Sequence, residues 1–478
     1  MRGGAAPRPA SAQAGAPAQS APAGSFNVLD YGAVPNRSAD SSSAFQAAAL
    51  AAYNAGGGTV FVPHGYYNAM WDLYPKVVFA GEGRGATQIF APTGVGPSRP
   101  IVGSGGRDDY QHGIKDMTLV GSVEALGTNK GERGIELISP NNDAHASPPG
   151  GAGYPNDPAP IIEDVQVRAT GGLAVYVGTN MRGAWVDKLF VLNAKQGGLR
   201  VEATDASFSD LYIGASAGGP NIQVDGAANH FTNSKAFASV GGADNWAISG
   251  TNVTLASSES QDSSGLGLDV HFGTVAAADF VSDGDTRAAR ITGGSAGYNG
   301  GYNDIDMSVS AADRYLPSVG YELNNVANSR LRLRIERDVH TGEPQTAAGF
   351  VAFKNVFTTN DLVRNELSVQ GQDVTQSPAV TNGALTPDAL QGLTVNVTLT
   401  GNTRINALSD ALKTVTPGKD LTFILTQDHT GGRGVTWDGT YIGAPAVNPA
   451  PGDTTTATFK NVSTTNTPRW KLVQTDSV

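Results

Sequence analysis

Four acidic side chains are spaced so that they could act together in a chain whose sequence repeats every ~23 residues. Glu259 and Asp283 lie one repeat apart, and so do Asp262 and Asp285. In coils of that length each pair falls at about the same angular position, one coil apart. Crowded carboxylates cannot all ionise freely, so one of them acquires the raised pKa that a general acid needs. Such a pair could carry out general acid–base chemistry of the kind that hydrolysis of a glycosidic bond requires, with one carboxyl group as the acid and another as the base or nucleophile.

Basic and aromatic residues follow this acidic patch and could bind a substrate beside it. Arg287 and Arg290 are near in sequence, and Tyr298 and Tyr302 lie on a glycine-rich stretch where their rings could stack on sugars. Two other interpretations of the four carboxylates stay open, namely a cation site and acidic residues at solvated turns. A second candidate group for the same chemistry consists of Asp304, Asp306, Glu322 and Glu336.

Signatures of several other kinds of site are missing from the sequence. There is no phosphate-binding loop, no nucleophile elbow and no His-Glu-x-x-His motif, and the absence of cysteine excludes disulfides and thiolate metal sites. We therefore expect no cofactor and no bound metal. A net charge of −11 argues against nucleic acid as the main partner, because a phosphate backbone requires a basic surface. No apolar run approaches the roughly 18–20 residues that span a bilayer, so we expect no membrane insertion.

A fixed sequence period predicts where the candidate residues lie relative to one another. Asp164, Asp187, Asp210 and Asn233 follow one another at equal intervals, and a glycine pair and a short apolar strand come after each of them. Repeats of this length predict a solenoid, in which each coil buries its inner face only by stacking on the next. We interpret the four residues as structural turn positions, since Asp and Asn tolerate the left-handed backbone conformation.

An Ala-rich amphipathic helix is predicted ahead of the first clear coils. The run Asp40–Ser43 offers N-cap side chains, and Gly56–Gly58 ends the helix because glycine accepts the left-handed C-cap conformation. The apolar stripe consists of Phe45, Ala48, Ala49 and Ala52. We expect this helix to cover the end of the coil stack, where strand edges and an apolar cross-section would otherwise be exposed.

The same region carries a resemblance to a known family. The matching segments are Val28–Ala33, Gly56–Pro63, Gly65, Tyr67 and Gly81–Thr87. They resemble the N-terminal signature of the pectate-lyase-like right-handed β-helix superfamily, in the form common in bacteriophage tailspikes and tail-associated depolymerases. The family usually has an acidic D-G-x-x-D-D-T run before the helix, and this chain has Pro35–Ser41 instead. The lyase and polygalacturonase motifs of the family have no clear counterpart here.

The expected fold is all-β, with a right-handed parallel β-helix, an N-terminal capping α-helix and a small antiparallel β-sandwich. Residues 1–24 form an Ala/Pro/Gly arm without the apolar core of a secretory signal, residues 25–370 the β-helix and residues 371–390 a linker. Residues 391–478 alternate apolar and polar side chains, which is typical of half-buried antiparallel strands. The stretch from Thr398 to Trp437 resembles a small terminal β domain of phage tail and fibre proteins.

Three functions remain open at this point. The resemblance implies a virion tail protein, a parallel homotrimer that attaches to other tail proteins through residues 1–24 and recognises host surface polysaccharide. Such a protein could bind the glycan without cleaving it or could depolymerise it, with hydrolysis favoured over elimination. A secreted bacterial polysaccharide lyase is the third alternative, and the absence of a signal sequence argues against it.

Overall fold

The computed structural model describes residues 24–97, 99–105, 112–138, 160–179, 181–293, 302–310, 316–324, 326, 329–336, 351–355, 366–370, 375–388, 393–409, 420–462 and 469–477. Strands dominate these ranges, and most of them pair in parallel. No helix of the described part is long and apolar enough to cross a membrane.

The predicted capping helix is confirmed and spans Ser42–Asn54. All four residues of the predicted apolar stripe are fully buried. Phe45 anchors the helix, because its ring centroid lies 5.5 Å from that of Tyr67, 5.0 Å from Trp71 and 6.1 Å from Phe79. Two shorter helical segments are the 3-10 turn Val28–Tyr31 and the single turn Ser122–Ala125.

A long parallel sheet of nineteen strands runs along the body of the described chain. Its strands are Phe26–Asn27, Asn36–Asp40, Gly58–Phe61, Gly65–Asn68, Val77–Ala80, Thr87–Phe90, Gly113–Val120, Ile161–Arg168, Trp185–Leu192, Ser207–Ser209, Tyr212–Gly214, His230–Thr232, Lys235–Phe237, Val253–Ala256, Glu259–Gln261, Val275–Asp283, Asp304–Ser310, Arg330–Ile335 and Glu366–Gln370.

A second parallel sheet of eleven strands completes each coil. Its strands are Trp71–Asp72, Val102–Gly103, Ile135–Leu137, Val175–Val177, Leu199–Val201, Ile222–Val224, Trp246–Ile248, Leu266–His271, Arg287–Thr292, Val319–Asn324 and Val351–Asn355. Inward side chains of both sheets form one continuous apolar core. The described body is thus the predicted right-handed parallel β-helix.

Single residues in the left-handed conformation bend the chain inside each coil. Asp164 has φ 50°, Asp210 has φ 53° and Asn233 has φ 50°, which agrees with their interpretation as turn residues. The expectation for Asp187 is wrong by one position. Asp187 lies in a strand opposite Glu163, and Lys188 adopts the left-handed turn conformation with φ 52°.

The C-terminal part has its own apolar core and two small sheets. The larger sheet contains Thr375–Gln376, Thr394–Leu399, Asp420–Gln427, Tyr441–Ile442, Thr454–Asn461 and Trp470–Ser477, and the smaller contains Ala384–Leu385, Thr403–Ile405 and Val435–Trp437. The predicted antiparallel pairing joins Thr454–Asn461 to the strands on both of its sides. The other described pairs of this part are parallel, so the two sheets together are mixed rather than purely antiparallel.

Candidate functional site

Two of the predicted acidic residues, Glu259 and Asp283, lie on the long sheet. Their strands pair in a register that places Glu259 opposite Val281 and Gln261 opposite Asp283. The two carboxylates are therefore diagonal neighbours, because this coil is shorter than the predicted repeat. Glu259 also has its own cation, with Lys235 Nζ 2.7 Å from its Oε1.

Asp283 is likewise held by neighbours in the sheet. It accepts hydrogen bonds from Gln261 Nε2 at 3.3 Å and from Ser310 Oγ at 2.7 Å. Glu259 and Asp283 thus remain half-buried surface carboxylates, each with a polar partner. Their catalytic role stays a prediction.

Asp262 occupies a turn. Its φ of 53° places it in the left-handed region, as do the equivalent turn residues Ala238 and Ala215 in the two preceding coils. Its backbone N–H donates to the Asp283 carbonyl at 2.9 Å. Aspartate suits this position because it tolerates the left-handed conformation, which accounts for its presence without a catalytic role.

Asp285 is inside the β-helix, which contradicts its predicted place in a surface patch. The residue is 0% exposed and accepts hydrogen bonds from the Ser263 N–H and the Ser282 hydroxyl, both at 2.7 Å. Burial raises the pKa of its carboxyl group to about 7, against the hydrogen bonds that favour the ionised form. In this position the side chain has no access to a glycan.

The side chain of Asp285 continues an internal ladder of asparagine side chains. Asn221 Nδ2 donates to Asn245 Oδ1 at 2.8 Å, and Asn245 accepts from the backbone N–H of Ser239. In the next coil the equivalent position is Gly267, which has no side chain. A Cβ added to Gly267 would lie 2.3 Å from Asp285 Oδ2, so this carboxyl group occupies the space of the missing amide.

The predicted substrate-binding residues are separated from the acidic pair. Arg287 and Arg290 lie on the second sheet. Tyr302 is 54% exposed and precedes a strand of the long sheet, and Tyr298 lies outside the described residues. Arg287 and Arg290 therefore lie on a different sheet from Glu259 and Asp283.

The second sheet instead presents a row of outward side chains, all of them polar except Ala247, which we call the charged face. In each short strand the middle residue points outward, and successive middle residues pair in register. The row consists of Glu136, Tyr176, Arg200, Gln223, Ala247, Asp269, Arg290, Glu322 and Lys354. Parallel pairing sets these side chains about 4.8 Å apart along the axis.

A hydrogen-bonded network occupies the middle of the charged face. Arg200 bridges two carboxylates, with Nη2 2.6 Å from Glu202 Oε1 and Nε 3.1 Å from Asp225 Oδ2. The Tyr176 hydroxyl donates to Glu202 Oε2 at 2.6 Å, and Gln223 Nε2 donates to Asp225 at 2.9 Å. Burial and the hydrogen bond to Glu202 raise the pKa of Tyr176 to about 12, which keeps the phenol protonated as a donor.

A groove of about 300 Å³ lies beside this network. Its lining residues are Pro97, Gly131, Arg133, Leu173, Gln196, Gly197, Leu199, Arg200, Pro220 and Gln223. Arg133 packs over the Tyr176 ring, with Cζ 4.4 Å from the ring centroid, and pairs with Glu136. The lining is more polar than apolar, and its two arginines and two glutamines offer hydrogen-bond donors and acceptors to a polar ligand.

Further along the charged face, two aspartates have different environments. Asp269 forms a bidentate pair with Arg290, at 3.0 Å and 2.6 Å. Burial raises the pKa of Asp244, and the neighbouring negative charge of Asp269 raises it further. The Leu266 N–H donates to Asp244 at 2.7 Å. A carboxyl group with a raised pKa beside a carboxylate paired with arginine is an arrangement that general acid–base chemistry can use.

The sequence-based prediction named Arg290 and Glu322 but missed the rest of the charged face for a physical reason. Its row comes from residues in short strands of three to six residues, and aligning the coils would have found them. The bridging carboxylates Glu202 and Asp225 come from turns, whose side-chain directions the period does not set. Within the described ranges, no three His, Asp or Glu side chains are arranged to hold a metal ion.

Comparisons of the sequence with known proteins point to two families. A model described as rhamnogalacturonase A/epimerase, pectate lyase-like, matches residues 25–269, and one described as putative phage tail fibre C-terminal domain matches residues 385–461. Among curated proteins of Azotobacter vinelandii, mannuronan C5-epimerase AlgE3 is 35% identical over 112 residues, and alginate lyase 7 is 32% identical over 110. These matches cover 21% of this chain but only 6% and 13% of the two relatives.

Solved structures with a similar fold include enzymes and phage proteins. The A-module of the Azotobacter vinelandii epimerase AlgE6 aligns with a TM-score of 0.47 and 18% identity, covering 72% of this chain and 98% of that one. The tailspike protein of E. coli bacteriophage HK620 aligns with a TM-score of 0.47 and 12% identity, covering 95% and 92%. These likenesses are too distant to transfer a function. The match at residues 25–269, by contrast, covers more than half of the 478 residues, and the chain belongs to the rhamnogalacturonase A/epimerase, pectate lyase-like family.

Proposed function

We propose that this chain is a bacteriophage tail protein that binds polysaccharide of the host cell surface through the charged face. The phage assignment is supported by the match of residues 385–461 to a putative phage tail fibre C-terminal domain. The binding assignment is carried by the Arg200 network beside its groove. Sugar hydroxyl groups both donate and accept, and a guanidinium flanked by carboxylates offers fixed donors and acceptors to neighbouring hydroxyls.

The assembly proposed for this protein follows from the same assignment. We propose a parallel homotrimer that attaches to other tail proteins through residues 1–24 and acts at the host surface. The net charge of −11 favours a glycan over nucleic acid as the ligand.

Binding can be tested with purified full-length protein and envelope polysaccharide extracted from a host to which the protein adsorbs. We expect titration calorimetry to show binding and Arg200→Gln to weaken it by about tenfold or more, as expected for a central anchor. Arg404→Gln is the matched control. Arg404 is an exposed arginine of the C-terminal part, and its ion pair with Asp438 is long, at 3.9 Å. Failure of the wild-type protein to bind would refute the proposal.

A second proposed activity is hydrolysis of the bound polysaccharide. The observation that favours it is Asp244, whose pKa is raised beside the ion-paired Asp269. Asp244 would protonate the leaving oxygen, and Asp269 would activate water or attack the sugar. Glu259 and Asp283 on the long sheet remain the alternative pair.

New reducing ends after incubation would reveal hydrolysis, and ultraviolet absorbance of an unsaturated uronate would reveal elimination instead. We expect Asp244→Asn to abolish new reducing ends and to leave binding unchanged. Loss of cleavage in Glu259→Gln and Asp283→Asn, with normal cleavage in Asp244→Asn, would move the active site to the long sheet. Intact chains after incubation with a protein that binds them would identify a non-cleaving adhesin.

A further inference from the structure

Trp185 is a large aromatic side chain on the outer surface of the long sheet. It begins the strand Trp185–Leu192 and is 60% exposed, whereas Val186, Leu189 and Val191 in the same strand are buried in the core. Tryptophan combines a large apolar face with one polar N–H and is enriched where proteins bind partners. An indole exposed to this degree therefore suggests a ligand.

A groove of about 290 Å³ opens beside the indole. We call it the Trp185 groove, and its lining residues are Gly183, Ala184, Trp185, Ser207, Phe208, Ser209, His230 and Thr232. Ser207 pairs with Trp185 in register, and His230 pairs with Ser207. The indole, a hydroxyl and an imidazole thus follow one another along the β-helix axis at about the 4.8 Å strand spacing.

Hydrogen bonds hold two polar side chains of this groove, those of His230 and Ser209. His230 Nδ1 lies 2.7 Å from Thr254 Oγ1, and the Ser209 hydroxyl donates to Asp187 Oδ1 at 2.6 Å. Asp187 is paired with Lys188, with Oδ2 and Nζ 3.2 Å apart. Glu163 and Asp210 lie near the same lysine, so the rim has no excess of positive charge that would favour an anionic sugar. Side chains held in this way lose little freedom on binding, which favours affinity.

The combination fits one class of ligand. A pyranose ring has an apolar face of C–H groups, which can stack on an indole, and a rim of hydroxyls, which can bond to serine, threonine and imidazole groups. We propose that the Trp185 groove is a second saccharide-binding site, for an uncharged pyranose residue. It lies on the long sheet and is separate from the charged face.

Other aromatic rings lie on the same coils beyond the left-handed turns at Lys188 and Asp210, which bend the chain between them and the Trp185 groove. Tyr212 is exposed, and its ring centroid lies 4.3 Å from Phe237 and 6.0 Å from Phe190. Arg84 packs over Phe190, with Cζ 3.7 Å from the ring centroid. These rings are therefore a separate aromatic surface and not part of the Trp185 groove.

The test uses full-length protein and two probes. The first probe is the extracted envelope polysaccharide, so this arm rests on the proposed function. We expect Trp185→Ala to weaken binding about tenfold. Tyr53→Ala is the control, because Tyr53 is an exposed aromatic residue of the capping helix, and it should bind as the wild type does.

The second probe is a panel of neutral methyl pyranosides, which does not depend on the charged face. At least one of them should change the tryptophan fluorescence of the wild type, and this change should disappear in Trp185→Phe and persist in Arg200→Gln. No change with any pyranoside would overturn the inference. If the wild type binds the polysaccharide and Trp185→Ala binds it equally well, the inference is overturned and the proposed function stands.

A second copy of this chain is the competing occupant of the groove. Sedimentation velocity of the wild type and Trp185→Ala distinguishes the two. An unchanged oligomeric state together with weaker saccharide binding supports the inference. A change of oligomeric state in the variant would assign the groove to a subunit interface and overturn it.

Discussion

Replacing Asp285 with asparagine should remove a pH-dependent loss of stability from this protein. The asparagine can accept from the Ser263 N–H as the carboxylate does, and its amide can donate to Ser282 as Asn245 donates to Ser260. The variant therefore keeps the hydrogen bonds of the internal ladder but carries no charge at any pH. Its stability relative to the wild type isolates the cost of ionising a buried carboxyl group.

The size of the effect follows from the shift in pKa. The pKa of Asp285 rises from 3.8 to about 7 on folding, because burial disfavours the charged form. Between these two values the folded protein holds a proton that the unfolded chain has released. The free energy of unfolding therefore falls as the pH rises through this window. The stability that the protonated Asp285 contributes is fully present only below the pKa of the unfolded chain. At about 1.4 kcal/mol per pKa unit, the loss reaches about 4 kcal/mol near pH 8, as an order of magnitude.

Urea unfolding of both proteins from about pH 4 to pH 8 measures this difference. We expect the advantage of Asp285→Asn over the wild type to grow by several kcal/mol across the range. Asp283→Asn is the matched control, because Asp283 is half-buried at the surface and is a near neighbour in sequence. Parallel stability curves for the wild type and Asp285→Asn would refute the reasoning.

Three further substitutions test the packing and polar contacts. Gly214→Ala should lower stability by about 1–3 kcal/mol, because its Cβ would lie 2.4 Å from the Phe237 ring, and a thermal melt measures this. Glu132→Gln should lower the free energy of unfolding in urea by about 1–3 kcal/mol, because the buried carboxylate accepts three hydrogen bonds and an amide N–H accepts none. The control Glu124→Gln, at an exposed carboxylate, should change the stability little. Phe45→Ala should cost about 3–5 kcal/mol by loss of aromatic packing under the capping helix, and a melting temperature equal to that of the wild type would contradict the proposed cap.

Much of the fold could be predicted because its signals are local and repeated. The capping helix depends on an apolar stripe and a glycine stop within one short segment. The turn positions at Asp164, Asp210 and Asn233 follow the coil period directly. The resemblance of the first coils to a known family added the prediction that the solenoid is right-handed.

The candidate site could not be predicted in the same way, because it depends on register and side-chain direction. Successive coils differ in length, since the coil that joins Phe190 to its partner Tyr212 is shorter than the one that joins Lys235 to Glu259. A fixed period therefore misplaces a side chain by one or two positions. Whether an aspartate such as Asp285 points inward depends on the space that a glycine in the neighbouring coil leaves, which spacing alone does not reveal.

Hydroxyl-radical footprinting of the full-length protein, with and without the envelope polysaccharide, tests the central claim most directly. The charged face and the Trp185 groove each contain an aromatic side chain that such radicals label, and the exposed Tyr53 of the capping helix serves as an internal control. We expect the polysaccharide to protect Tyr176 on the charged face and Trp185 on the long sheet, and to leave Tyr53 unchanged. Protection of Tyr53 alone, or of none of the three in a protein that binds the polysaccharide, would contradict the account.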